Sequence, residues 1–151
     1  MKFNLPFLNM RSEPSFSQSD RAREENRAAL RDLGNRPHGF SAKSTAESND
    51  NKKIALWTGK HLQLSLACLP YGAICTSERY DSADRLIFTA CGRGEIEIEE
   101  RGGARVIPIG EGSIALIPCG AKHTVKNTGR SPLKIYSAFS HPVMPYGESV
   151  K

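Results

Sequence analysis

Gly112-Ser113-Ile114-Ala115-Leu116-Ile117-Pro118-Cys119-Gly120-Ala121-Lys122-His123-Thr124-Val125-Lys126-Asn127 is the stretch whose reading decides the fold of this chain. Gly112 opens a short apolar strand after a turn. Pro118 fixes φ and Gly120 permits a positive φ, so the two together build a reversal. His123 then starts the next strand. Period-two alternation puts His123 and Val125 on one face of that strand and Thr124 and Lys126 on the other.

Outward from this stretch, short segments alternate between apolar and polar residues and are divided by Gly, Pro and Asn. Ile54–Thr58, Leu62–Cys68, Arg85–Cys91 and Val106–Ile109 read as strands, and so do Ser113–Ile117, His123–Asn127 and Leu133–Phe139. Ile74–Tyr80 reads as a weaker one. Glu95-Ile96-Glu97-Ile98-Glu99 alternates strictly, with Ile inward and Glu outward. Strands this numerous, with no helical pattern between them, predict an all-β sandwich or barrel over 54–151.

Residues 1–53 differ: they form a polar extension, rich in Ser, Asn, Arg and Glu. The spacing predicts one short helix near 20–33. Asp20 serves as N-cap, Ala22, Ala29, Leu30 and Leu33 fall near one face, and Gly34 follows as a C-cap. Residues 41–51 read as loop or disorder.

The 151 residues carry a net charge of +5, with 38% hydrophobic and 25% charged residues. Basic residues outnumber acidic ones by 8 to 7 in residues 1–51 and by 13 to 9 in 52–151, without a dense run in either part. A nucleic-acid surface needs clustered positive charge, so no nucleic-acid partner is expected. No apolar run approaches the roughly 20 residues of a membrane span. The apolar residues at the start are broken by Asn4 and Pro6, so no secretory signal is expected. Cys68, Cys75, Cys91 and Cys119 lack paired spacing and read as reduced thiols of a cytoplasmic protein. A zinc site built from all four finds little support in that spacing.

The stretch at 112–127 resembles the second motif of the cupin superfamily, G-x5-P-x-G-x2-H-x3-N, at Gly112, Pro118, Gly120, His123 and Asn127. The resemblance implies a double-stranded β-helix, or jelly-roll barrel, with the inner face of the His123 strand lining the lumen. The first cupin motif is degenerate: Gly72 and Gly92 bracket it, and its three ligand positions fall on Glu78, Tyr80 and Arg85. Standard metal cupins have His, His and Glu there, and His123 supplies the fourth position. Gly34-Asn35-Arg36-Pro37, Ala55-Leu56-Trp57-Thr58-Gly59-Lys60-His61-Leu62-Gln63-Leu64 and the segments from Asn127 to Ser137 look like small bacterial cupins labelled mannose-6-phosphate-isomerase-like. That narrower resemblance covers about residues 34–150. The group commonly has Glu, His and Gln at the first-motif positions, so Glu78 agrees with it while Tyr80 and Arg85 depart. It implies a barrel, a divalent metal in many members and a homodimer, but no particular substrate.

Arg85 decides the chemistry expected of the lumen. A guanidinium about 4 Å from a unit positive charge costs about 4 kcal/mol at an effective dielectric of about 20, and roughly double that against a divalent ion. Three readings stay open. Arg85 pairs with Glu78 and fills the old metal position; or it grips a ligand carboxylate or phosphate; or Glu78 and His123 keep a weakly bound divalent metal. His123 is the candidate acid–base residue, or else a lumen histidine hydrogen-bonded to Tyr80 or Glu78.

The leading expectation is therefore a cupin that binds a small anion through Glu78, Tyr80, Arg85 and His123, with no cofactor. A metal-dependent isomerase, epimerase or dioxygenase, or a protein with an inert lumen, are the rivals. Leu86 and Phe88 lie opposite Arg85, so their face should be covered by a second subunit or by the N-terminal segment.

Overall fold

The structure is a computed structural model that describes residues 39–144 and 149–150. The helix expected near 20–33 lies outside the described residues. The elements in chain order are α1 (Ala42–Glu47), β1 (Lys53–Thr58), β2 (Gln63–Leu69), β3 (Arg85–Cys91), β4 (Arg93–Glu100), β5 (Gly103–Gly110), β6 (Ile114–Ile117), β7 (His123–Asn127), β8 (Leu133–Phe139) and β9 (Ser149–Val150). They form a six-stranded sheet, β6-β3-β8-β2-β1-β9, and a three-stranded sheet, β5-β4-β7. Every strand pairing is antiparallel. This is the all-β architecture expected from the alternation, in the jelly-roll form that the cupin resemblance implies.

The two sheets close on a core of Leu69, Ile87, Ile96, Ile98, Ile109, Ile117, Val125, Leu133 and Ile135. Ile96 and Ile98 point inward while Glu95 and Glu97 face out toward Lys126, as strict alternation predicts. β2 behaves differently. Its odd residues Gln63, Ser65, Ala67 and Leu69 are all buried on the inner face, whereas Leu64 and Leu66 pack on the outer face. Both faces are covered, so alternation alone could not say which of them is the lumen.

The outer cover is α1. Residues 41–51 are not the expected loop: Ser41 caps a helix by accepting from the Ser44 amide at 3.4 Å. The helix has only six residues and no apolar stripe of its own. Ala42 and Ala46 dock instead on Leu56, Leu66, Phe88, Ala90 and Tyr136, and the Tyr136 hydroxyl donates to the Ala42 carbonyl at 2.7 Å. Tertiary packing makes this helix, because so short a segment is not stable alone.

A second departure concerns 74–80. Alternation predicts a strand there with Ile74, Thr76, Glu78 and Tyr80 on one face. The structure has two isolated bridges, Ile74 with Lys126 and Glu78 with His123. Four residue steps on one side match three on the other. The extra residue reverses the facing between them, so Ile74 is 62% exposed while Glu78 turns inward. Gly112 and Gly120 adopt φ of 84° and 80°, the conformations their turns require.

Candidate functional site

Strand register brings the site together. Arg85 opens β3 and lies across from Phe139, which lies across from Gln63, so these three form one inward-facing row. His123 opens β7 on the opposite sheet and exchanges both backbone hydrogen bonds with Glu78 at 2.8 and 2.9 Å. All four residues singled out from the sequence, Glu78, Tyr80, Arg85 and His123, therefore meet in the lumen.

Arg85 is 4% exposed and His123 1%. The Arg85 Nη1 donates to Glu78 Oε2 at 2.5 Å and to His123 Nε2 at 2.8 Å, and Nε donates to Ser137 Oγ at 3.0 Å. His123 Nδ1 lies 2.9 Å from the Ala121 carbonyl. A carbonyl only accepts, so Nδ1 carries the proton and Nε2 offers its lone pair to Arg85. Burial, with the Arg85 charge in support, holds His123 below its ordinary titration range. The expected partners of the His123 ring are thus corrected: the imidazole bonds Arg85 and the Ala121 carbonyl and not the Tyr80 or Glu78 side chain, because the guanidinium stands between.

Glu78 accepts from Lys53 Nζ at 3.2 Å and from the Tyr80 hydroxyl at 3.0 Å, both at Oε1. Burial pushes its carboxyl up, but Arg85 and Lys53 outweigh burial and hold it at about 2. Burial, then the Glu78 charge, raises the Tyr80 phenol, which stays protonated as a donor. The Tyr80 ring meets Phe139 edge-on at 4.9 Å between centroids. The Arg85 guanidinium carbon lies 5.4 Å from the Phe139 ring centre and Lys53 Nζ lies 6.0 Å from it, so both cations rest near aromatic faces.

Lys53 and Ser137 belong to this site and are not evident from the sequence. Lys53 reads there as one of a lysine pair; it enters the lumen because it sits opposite Ala67 on β1. Cys75 is half-buried nearby, and burial raises its thiol, so it is protonated. Cys119 is exposed in the turn and bonds the Asp81 carbonyl. Asn127 serves the fold: its amide nitrogen donates to the Leu69, Pro70 and Ser131 carbonyls, and its oxygen accepts from the Gly129 amide.

A divalent metal does not fit these residues. One carboxylate and one imidazole are too few donors for a tight site, and the lone pair of His123 Nε2 is engaged by a cation. Among the described residues no group of three or more His, Cys, Asp or Glu side chains is placed to hold a metal ion.

The barrel and its motif segment at 112–127 define a small cupin. The chain belongs to one family with the uncharacterized protein YrkC of Bacillus subtilis: the two are 30% identical over 126 residues, covering 82% of this chain and 68% of that protein. It also matches the crystal structure of BH2720 from Bacillus halodurans, with a TM-score of 0.76 and 30% identity over 80% of this chain and 93% of that one. The cupin domain of Schizosaccharomyces pombe Cnp3 shares the fold alone, at a TM-score of 0.59 and 14% identity over 71% of each chain. No protein-family model matches the chain. Among the described residues no helix is long and apolar enough to cross a membrane.

Proposed function

We propose that this cupin binds a small carboxylate or phosphate in its lumen and carries no resident metal. The observation that carries the reading is the Arg85 guanidinium wedged between Glu78 and His123. Among the described lumen residues, Lys53 and Arg85 face the one carboxylate of Glu78, while His123 is held neutral. A partly enclosed excess of positive charge is relieved by an anion. The side chains of Lys53 and Glu78 are 23% and 22% exposed, so an anion reaches the cations from that side. The Arg85 Nη2 makes no hydrogen bond among the described residues, and no buried side-chain nitrogen or oxygen there lacks a partner.

The test is calorimetric titration of the full chain with inorganic phosphate, a sugar phosphate and malonate. At least one should bind, raise the melting temperature and lose affinity tenfold or more in Lys53→Met. That variant removes an accessible cation and spares the Arg85 contacts. If none of the three binds the wild-type chain, the inert-lumen reading replaces this one.

A further inference from the structure

We infer that residues 20–33 dock, within their own chain, on the uncovered half of the outer face of the six-stranded sheet. Register shows that face to be two apolar rows. One runs Ile114, Phe88, Tyr136, Leu66 across β6, β3, β8 and β2; the other runs Leu116, Leu86, Ala138, Leu64. α1 covers the first row at Phe88, Tyr136 and Leu66. It leaves Ile114 60% and Leu116 70% exposed, with Leu62 at 47% beside them. A groove of about 570 Å³ lies over Leu62, Leu86, Leu116 and Ala138.

Where the chain enters identifies the occupant. Phe40 packs near Tyr136 with ring centroids 6.2 Å apart, so the described part of the chain begins on this same face. Tyr136 and Ala138 are two positions apart on β8, about 7 Å at roughly 3.4 Å per residue. Residues 34–39 span up to ~20 Å when extended. The Ala22, Ala29, Leu30 and Leu33 stripe, if helical, is about 16 Å long at about 1.5 Å per residue. The second row crosses four strands, about 14 Å at roughly 4.8 Å per strand spacing. Length, reach and apolar character agree. A second copy of the chain offers the face no such tether.

The experiment uses the full chain with Leu116→Asp, Leu30→Asp and the double variant. A bare, exposed position tolerates Asp with little change in stability. Docking predicts that each single variant lowers the melting temperature by about 4 °C or more, and that the double variant falls by clearly less than the sum, as contacting residues do. Light scattering should return the same mass for every form, the 16.6 kDa of one chain or a multiple of it. An unchanged melting temperature in Leu116→Asp overturns the inference, and so do additive shifts. A wild-type dimer that Leu116→Asp dissociates while Leu30→Asp does not also overturns it, and assigns the face to a second copy.

Discussion

The Nη1 of Arg85 stands 2.8 Å from Nε2 of His123. A neutral imidazole nitrogen is the usual seat of a transition metal, and here it accepts a hydrogen bond from a guanidinium. That contact engages the lone pair that a metal or a proton would take. The charges of Glu78 and Lys53 are arranged around the same guanidinium.

Arg85→Leu should destabilise the protein by about 3 kcal/mol, the low end for breaking a buried ion pair, because Glu78 keeps Lys53 as a partner and some access to water. Urea denaturation at neutral pH measures this. A loss under 1 kcal/mol would mean the network does not hold the lumen together.

Acid should weaken the fold in two stages. The Glu78 carboxyl sits at about 2 in the folded protein against 4.5 otherwise. Its contribution is therefore complete above pH 4.5 and is lost as pH falls toward 2; a gap of this size corresponds to about 3 kcal/mol. His123 is also lowered when folded, from 6.5, so the unfolded chain takes up its proton first and stability begins to fall below pH 6.5. Denaturation midpoints from pH 7 to pH 3 check the signs. Glu78→Gln should flatten the acid limb and His123→Gln the limb near neutrality.

Tyr136→Phe should cost about 1 kcal/mol, the worth of one hydrogen bond to a carbonyl, and should loosen α1 more than the barrel. Burial raises the Tyr136 phenol to about 12, so it remains a donor to Ala42 across the working pH range. Amide exchange should speed up over 42–48 and stay unchanged over 85–91.

The barrel is legible in the sequence wherever a strand has one dominant pattern. The bounds read for β3, β7 and β8 coincide with those observed. α1 is not legible, because Ala42, Thr45 and Ala46 have the i, i+3, i+4 spacing of a helix face but are too small and too few over six residues to mark it as a buried one. The break in 74–80 is hidden because a bulge is a property of two strands and only one is visible locally. Of the site, Glu78, Tyr80, Arg85 and His123 follow from the motif spacing, whereas Lys53 and Ser137 depend on register across β1, β2 and β8. Such pairings carry no local signal.

Asn127→Ala should lower stability by about 2–4 kcal/mol, since it strips hydrogen bonds from three carbonyls and one amide in a buried turn. Calorimetric melting measures the loss, and ligand affinity in the folded variant should stay unchanged. A stable variant with altered affinity would place Asn127 in the pocket and not beneath it.

Metal titration of the full chain tests the central claim most directly. Wild-type protein dialysed against Mn²⁺, Fe²⁺, Ni²⁺ or Zn²⁺ should retain well below one equivalent, and Arg85→Gln should retain more than wild type. One tightly held equivalent in the wild type that disappears in His123→Ala would contradict the account and put a metal where Arg85 is placed.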